Sequence, residues 1–551
     1  MKNIMKGKLF AAALTLGTLG LTGCIEETLP LGGAITSSQV EGSAKGLEAS
    51  LNGPAAIITD VFTTSSNHYD WGYGAAMHVR DIMTADMAVS SSTYNHFSPW
   101  SSNSAQGEEY YYAYFLYTYY YKAIQTANEI LRPINLETAT EDELGYAAVG
   151  RAWRALFYLD AARMFEFLPN DGTSNISEEG KDITNLTVPI VTETITEAVA
   201  RNNPRATREE MFNFILADLD FAEENIELLP AEVQGDATPG LAVVYGLKAR
   251  LYMWMDTDES YVKAAEYARK AINFSYGTKD NPMPAAYEPM TREQCLSTSS
   301  GFNTVVPSWM LSCQQTAETY AVQTGIICWT SWMSNEAQYG YAAAGPRIMI
   351  SSNLYGKITE GDFRKLMFKA PVGSLLEGTE PFLDEDFANT YLPEYASLKF
   401  RPGSGNAYES KTGNITAFPL MRIEEMYFIE AEAIAHATPA RGKILLETFM
   451  RNYRNENYTC RARTPEDIIQ EIITQKSIEF FGEGQSFFDI KRLNYSVDRT
   501  LSSNYTSDER FRTNGRPAWM NICFPYTERI NNRGLQGCQN PDPSTAYEVV
   551  K

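Results

Sequence analysis

The chain has 551 residues, of which 44% are hydrophobic and 21% charged, so it is long enough for several average domains or for one large architecture. These hydrophobic and charged fractions exclude a chain that is disordered throughout. The formal net charge of −22 opposes sequence-independent binding to nucleic acid, which requires a basic face. With only four histidines, a histidine-rich metal site is not expected.

The N-terminus predicts export. Lys2, Lys6 and Lys8 precede a short apolar run that ends in Leu21-Thr22-Gly23-Cys24. The run is too short to span a membrane, and its end resembles the bacterial lipobox, in which the chain is cut before a cysteine that then carries lipid. We therefore predict a lipoprotein signal peptide over residues 1–23, lipidation of Cys24 and a tether over residues 24–45. The alternative is an ordinary signal peptide with a cysteine there by chance.

The body of the chain has mainly helical periodicity, with apolar residues at steps of three and four. Small residues alternate with large ones in several of these segments, as in tetratricopeptide-like helix pairs. We predict a mostly α fold in which such pairs form a superhelical scaffold. The predicted helices cover residues 105–131, 141–167, 207–228, 237–256, 259–273, 422–437 and 466–481.

The first of these helices carries a stripe of tyrosines: Tyr110, Tyr114, Tyr117 and Tyr121. One interpretation is a platform on which sugar rings stack. The other is a helix interface in which the rings pack and the hydroxyls stay hydrated. We favour the interface, because the aromatic residues run right round the helix.

The helical period is lost between residues 281 and 415, a span too long for one structureless loop in a compact domain. We predict an inserted loop-rich subdomain there, between an N-terminal helical region over residues 46–280 and a C-terminal helical region over residues 416–551. Ligand sites are often carried by such loops on a rigid frame.

Six cysteines follow Cys24, and an exported chain permits disulfides. Cys313 with Cys328 and Cys523 with Cys538 are candidate local pairs, and buried free thiols are the alternative. No CxxC spacing indicates a zinc site, so we predict no metal and no cofactor. A Ca²⁺ site at Asp256, Asp258 and Glu259 is a weaker interpretation than a polar turn between helices.

No catalytic motif occurs in the chain. A glycosidase needs two carboxylates at a fixed separation, and nothing in the sequence locates such a pair. The glutamates Glu424, Glu425, Glu430 and Glu432 share one predicted helix, where a solvated or ion-paired face is the expected role. We predict that the protein is not an enzyme.

Several segments, in the same order along the chain, resemble the SusD/RagB family of Bacteroidota glycan-binding lipoproteins. Two departures, Gln475-Lys476 and Gln485-Ser486, are interpreted as changes of scaffold. Besides the lipobox, the matching segments are Tyr121–Asn128, Ala152–Leu159, Asp218-Leu219, Lys248–Tyr252, Pro419–Arg422, Glu430–Ala433, Ile478–Phe480, Gly482–Gly484 and Phe488–Arg492, with Phe524-Pro525 and Gln539-Asn540 after them.

The resemblance implies a SusD-like fold and a non-enzymatic protein that captures oligosaccharides, from a neutral polysaccharide or a host mucin-type glycan. It also implies delivery to a partner, a SusC-like TonB-dependent outer-membrane barrel. Glu26 and Glu27 resemble the signal that exports such lipoproteins, so a lipid-anchored protein of the outer membrane facing the cell exterior is expected. Capture of peptides is an alternative, and a surface glycoside hydrolase is a third.

A sugar site combines aromatic faces for the C–H surfaces with polar groups for the hydroxyl rim. Two predicted loops, residues 66–100 and 314–341, are rich in both kinds. By analogy with the family, the glycan-binding residues expected here are Tyr94 and Asn95 from the first loop and Tyr320, Trp329, Trp332, Tyr339 and Tyr341 from the second.

Overall fold

The computed structural model describes residues 44–278 and 281–551. The predicted signal peptide over residues 1–23, the lipidation site Cys24 and the tether up to residue 43 lie outside the described residues. No helix in the described part of the chain has both the length and the apolar character needed to cross a bilayer.

The N-terminal half is helical, and its main helices begin at readable caps. Thr140 accepts a hydrogen bond from the amide of Glu143, and Thr207 accepts one from the amide of Glu210. Each glutamate carboxylate accepts a bond in return from the amide of its threonine, which is the arrangement called a capping box. The helices are α1 (Ala44–Ser50), α2 (Asn52–Thr59), α3 (Gly72–Ile82), α4 (Ser98–Ser101), α5 (Tyr111–Leu131), α6 (Glu141–Phe165), α7 (Glu197–Ala200), α8 (Arg208–Asn225), α9 (Leu241–Met255) and α10 (Asp258–Ile272).

The middle of the chain has only short elements, as predicted for the loop-rich segment. Its helices are α11 (Arg292–Leu296), α12 (Tyr320–Thr324), α13 (Trp329–Met333), α14 (Gly340–Ala344), α15 (Ser352–Lys357), α16 (Glu385–Tyr391) and α17 (Ser410–Gly413). The C-terminal helices are α18 (Ile423–Ala437), α19 (Pro439–Tyr453), α20 (Pro465–Glu479), α21 (Ser486–Arg492) and α22 (Tyr526–Asn531).

Three two-stranded antiparallel sheets occur among the described residues. Strand β1 (Met87–Val89) pairs with β5 (Ile348–Ile350), β2 (Ser275–Thr278) with β3 (Asn281–Ala286), and β4 (Trp309–Gln314) with β6 (Ala417–Arg422). The β4–β6 ladder joins the loop-rich segment to the strand that leads into α18. Residues Glu48–Lys551 form one unit, and the region boundaries at 280 and 415 stay predictions.

The long helices pack in the order of the chain: α5 on α6, α6 on α8, α8 on α9, α9 on α10, and α10 on α18, which also contacts α19 and α20. Side chains of the family-like segments cross these interfaces as buried ion pairs. Arg154 binds both carboxylate oxygens of Asp218 at 2.7 Å, between α6 and α8, and Arg250 binds both oxygens of Glu425 at 2.6 Å, between α9 and α18. Such two-point bonds fix both distance and orientation.

Glu479 at the end of α20 is the centre of a larger buried network. Arg454 donates to both of its carboxylate oxygens at 2.7 Å, and Arg422 and Arg364 donate at 3.2 Å. Burial opposes ionisation of Glu479, but these guanidinium groups outweigh it and hold the pKa of Glu479 well below its ordinary value. Lys476 belongs to Gln475-Lys476, one of the two departures from the family pattern. It forms an ion pair with Asp489 at 2.9 Å, which supports its interpretation as a scaffold change.

The four glutamates considered for catalysis, Glu424, Glu425, Glu430 and Glu432, are buried and ion-paired. Of the two roles expected for that helix face, solvated or ion-paired, the structure shows the ion-paired one. All six cysteines after Cys24 are free thiols, five of them buried, so the predicted disulfide pairs do not form in this structure.

Candidate functional site

The two loops predicted to carry the site meet in the structure. The β1–β5 ladder brings Val89 opposite Ile348, and the contact continues into the loops. The amide of Ser90 donates to the carbonyl of Arg347 at 3.0 Å, and the amide of Arg347 donates to Oγ of Ser90 at 2.7 Å. The segment after β1 and the segment before β5 are thereby held side by side.

The first predicted loop, residues 66–100, contains a helix that the sequence did not reveal. All eleven residues of α3, Gly72–Ile82, are buried. Trp71 lies just before this helix and Tyr73 is its second residue, and both belong to the core. The residues around Tyr94, and Ser66 to His68 at the start of the predicted loop, remain at least partly at the surface.

Trp329, Trp332 and Tyr341 are 2%, 2% and 3% exposed. Trp329 is stacked on Phe418 with centroids 4.3 Å apart, and Trp332 is stacked on Tyr341 at 4.6 Å. Their faces are covered by protein, so the expectation that they stack on a sugar does not fit this structure. The cause is packing against residues distant in sequence.

Two histidines lie against the Trp332–Tyr341 pair. His68 and His96 have ring centroids 4.9 Å apart, and each packs its ring against Tyr341, at 5.4 and 5.5 Å. Both are half-buried. Burial and then the neighbouring His68 lower the pKa of His96, so this imidazole is held in its neutral form, which can both donate and accept a hydrogen bond. These histidines were not among the residues predicted from the sequence to bind glycan.

Tyr94 and Tyr320 are the predicted residues that expose their rings, at 52% and 59%. Asn95 is half-buried, and its Oδ1 accepts a hydrogen bond from the amide of Phe97 at 3.1 Å, so it shapes the turn beside Tyr94. Tyr339 is half-buried, with its hydroxyl packed against the backbone at Gly413. Burial raises the pKa of Tyr339 above its ordinary value.

A further exposed ring, Tyr408, was outside the predicted loops. It is 64% exposed, and its hydroxyl donates to Asp384 at 3.0 Å. The amide of Gln338 bonds the carbonyl of Ala407 at 2.7 Å, and α17 contacts α12, which begins at Tyr320. The segments that carry Tyr320, Tyr339 and Tyr408 therefore touch one another, and the segment of Tyr94 reaches the second loop through His96 and Tyr341. We call this surface the aromatic face, defined by Tyr94, Tyr320, Tyr408, His68, His96 and Tyr339.

No group of three or more histidine, cysteine or carboxylate side chains suited to a metal ion occurs within residues 44–278 and 281–551. Of the weaker Ca²⁺ candidates, Asp256 lies just after α9 and accepts a hydrogen bond from Tyr261. Asp258 and Glu259 form the first turn of α10, where negative charge stabilises the helix dipole. This arrangement is that of a polar turn.

Family comparisons agree with this architecture. A model described as "Starch-binding associating with outer membrane" matches residues 55–253, and a SusD family model matches residues 385–522. Together the two matches cover more than half of the chain. No curated protein matches the sequence significantly.

Solved structures share the fold at low identity. A SusD superfamily protein from Bacteroides thetaiotaomicron is 17% identical with a TM-score of 0.67, and covers 90% of this chain and 99% of its own. A SusD-like carbohydrate-binding protein from Bacteroides vulgatus is 19% identical with a TM-score of 0.65, over 89% and 96%. A laminarin-binding SusD-like protein is 16% identical with a TM-score of 0.61, over 91% and 99%.

The helical frame and the inserted short elements therefore define a SusD-like fold, as predicted. The two family models, matched in order along the chain, identify the family itself. The chain belongs to the SusD/RagB family.

Proposed function

We propose that this protein is a cell-surface lipoprotein that binds oligosaccharides at the aromatic face and passes them to a TonB-dependent outer-membrane barrel. The observation that carries the binding role is the contact of the two predicted loops at His68 and His96 against Tyr341, in loops that also expose the rings of Tyr94 and Tyr320. Solvent-exposed rings held on a rigid frame are the groups on which the C–H face of a sugar stacks.

The chemistry of the aromatic face suits a neutral ligand. Its side chains are phenols and imidazoles, and the acidic group next to it, Asp384, already accepts the hydrogen bond of Tyr408. The polar atoms around the rings are hydroxyls and imidazole nitrogens, which match the hydroxyl rim of a sugar. The proteins of similar structure include one laminarin-binding protein and one surface glycan-binding protein from Bacteroides uniformis, which supports carbohydrate as the ligand class.

The lipid anchor at Cys24, the position on the outer surface and the partner barrel belong to this proposal. They rest on the lipobox and on the family membership. The absence of enzymatic activity is proposed on the same basis, together with the ion pairs that occupy the buried glutamates of α18.

Affinity electrophoresis tests the binding role. The chain beginning after Cys24 is run in native gels containing laminarin, soluble starch, galactomannan, xylan or chondroitin sulfate, and reducing ends are assayed in parallel. We expect retardation by at least one neutral glycan with no release of reducing ends. Migration unchanged in every gel contradicts glycan binding, and binding of a peptide mixture instead would assign a peptide cargo. Release of reducing ends would assign a hydrolase.

A further inference from the structure

A second concave surface lies along the exposed side of α5. It is a groove of about 600 Å³, within the ~300–1,000 Å³ range of small-molecule sites. Its floor is one stripe of α5 that includes Tyr114, Tyr117 and Tyr121, and its walls are residues 189–203 and 525–532. It shares no residue with the aromatic face. The tyrosine stripe, for which the sequence favoured a helix interface, is thus accessible along one side.

Two tyrosines of the floor, Tyr117 and Tyr121, are held in place before any ligand binds. Tyr117 and Tyr121 are stacked with centroids 4.4 Å apart, and the hydroxyl of Tyr121 donates to the carbonyl of Pro189 at 2.5 Å. Phe165 and Phe524 meet the Tyr117 ring edge-on at 5.6 and 5.5 Å. Tyr114 and Tyr121 remain half-buried and so keep part of their rings accessible. Binding on fixed rings loses little conformational entropy.

The two walls of the groove are bonded to each other. Oδ1 of Asn532 accepts from the amide of Asn203 at 2.9 Å, and Nδ2 of Asn532 donates to the carbonyl of Asn203 at 2.7 Å. The amide of Arg533 donates to the carbonyl of Arg201 at 2.9 Å. The groove is therefore a fixed feature, and exposed Gln125 and Asn531 add amide groups to its rim.

The charges of the groove balance, although the whole chain carries −22. Lys122 and Arg201 are opposed by Glu197 and Glu528. Arg201 already pairs with Glu197 at 2.6 Å, and Lys122 donates to the carbonyl of Thr63. A strongly charged ligand would find no excess of the opposite charge here, whereas hydroxyl groups could bond to either kind of side chain.

We propose that this groove is a second binding site for a neutral oligosaccharide, with sugar rings placed on Tyr114 and Tyr121 and hydroxyls bonded to Gln125 and Asn531. The inference rests on the proposed function, because it assumes carbohydrate as the ligand class. A polysaccharide chain would then be held at two places on one protein molecule, at the aromatic face and at the groove.

The test uses variants that fill the groove in a background in which the aromatic face is weakened. The background carries Tyr94→Ala and Tyr320→Ala. Thr118→Trp, from the floor, and Gln125→Trp, from the exposed rim, are added separately. Val262→Trp on α10, at a position 63% exposed and outside the groove, is the matched control. The melting temperature of each variant is measured first. The exposed Gln125 position keeps the test valid if Thr118→Trp fails to fold.

Affinity electrophoresis is run with laminarin, soluble starch, galactomannan, xylan and chondroitin sulfate. We expect the background to keep weakened retardation by a neutral polysaccharide, Gln125→Trp to weaken it at least tenfold further, and Val262→Trp to leave it unchanged. Loss of all retardation in the background alone, or equal retardation for Gln125→Trp and Val262→Trp, overturns the groove and leaves the proposed function intact. Retardation by chondroitin sulfate alone overturns the neutral ligand. Wild-type protein retarded by no polysaccharide overturns both proposals.

Discussion

The indole ring of Trp332 is stacked on the phenol ring of Tyr341, with centroids 4.6 Å apart and planes inclined by 18°. Both side chains are buried, and the imidazoles of His68 and His96 pack against Tyr341. The pair therefore supports the two histidines of the aromatic face. Buried residues such as Trp332 and Tyr341 hold the surface in place, whereas exposed rings would contact a ligand. Substitution of the first group should reduce stability, and substitution of the second should reduce binding.

Trp332→Ala should reduce stability. Removing a buried indole costs about 3–5 kcal/mol, because it leaves a cavity as well as losing apolar burial. Chemical denaturation of the chain beginning after Cys24 measures the change, with Trp332→Phe as a milder control that keeps an aromatic ring. A stable Trp332→Ala protein that has lost glycan binding would instead place Trp332 in direct contact with the ligand.

Tyr94→Ala combined with Tyr320→Ala should weaken glycan binding and leave stability unchanged. If each exposed ring contributes about 1 kcal/mol of stacking, the loss is roughly 30-fold in affinity. Both rings are more than half exposed, so the free energy of unfolding should change by less than ~0.5 kcal/mol per site. Calorimetry with the glycan identified by electrophoresis measures the affinity. Tyr391→Ala, at 63% exposure on α16, is the control, and equal affinities for all three proteins would rule out the aromatic face.

Arg154→Met should destabilise the packing of α6 on α8. It leaves the buried carboxylate of Asp218 without its two-point partner, and breaking such a pair from one side costs about 3–5 kcal/mol. Adding Asp218→Leu removes the unpaired charge and should recover most of the loss. Urea unfolding of the two single variants and the double variant checks this. A double variant as unstable as the sum of the single variants would contradict the coupling.

His78 should make stability depend on pH. Burial lowers the pKa of His78 to about 3, whereas an unfolded histidine titrates near 6.5. The unfolded chain therefore binds a proton that the folded chain does not bind. The contribution of His78 to the free energy of unfolding is present above pH 6.5 and is lost as the pH falls toward 3. Between pH 7.5 and pH 5 the loss is about 2 kcal/mol, and His78→Leu should show a correspondingly flatter profile. Parallel profiles for the two proteins would show that His78 titrates normally in the fold.

The cysteines should be redox-inert. All six after Cys24 are free in the structure, and Cys295, Cys313, Cys328, Cys460 and Cys523 are buried. Burial raises the pKa of the Cys313 and Cys523 thiols well above its ordinary range, which further suppresses the reactive thiolate. A reducing agent should leave the melting temperature unchanged, and a thiol reagent should reach the five buried residues only after unfolding. A lower melting temperature on reduction would reveal a disulfide.

Much of the helical frame was predictable, because its signals are local. The segment predicted over residues 141–167 is the helix Glu141–Phe165, and that over 207–228 begins at Arg208, next to the cap Thr207. The helix Gly72–Ile82 was missed because the segment 66–100 was interpreted as one ligand loop, on the strength of its mixed aromatic and polar residues.

The site was less predictable, because an aromatic residue has the same sequence signature in a core and at a surface. Trp329 is covered by Phe418, and Trp332 packs against Phe97, both far away in the sequence. Nothing local to α13 distinguishes these tryptophans from exposed Tyr320 nine residues earlier. The resemblance to the family was enough to select the two loops. Whether each ring in them is exposed depends on long-range packing.

The proposed function requires that this protein captures glycans without cleaving them. Native electrophoresis of the chain beginning after Cys24 through gels containing neutral polysaccharides, with a reducing-end assay on the same samples, tests it most directly. We expect retardation by at least one neutral glycan and no new reducing ends. Unretarded migration through every glycan by a protein with a cooperative thermal melt, or the appearance of reducing ends, would contradict it.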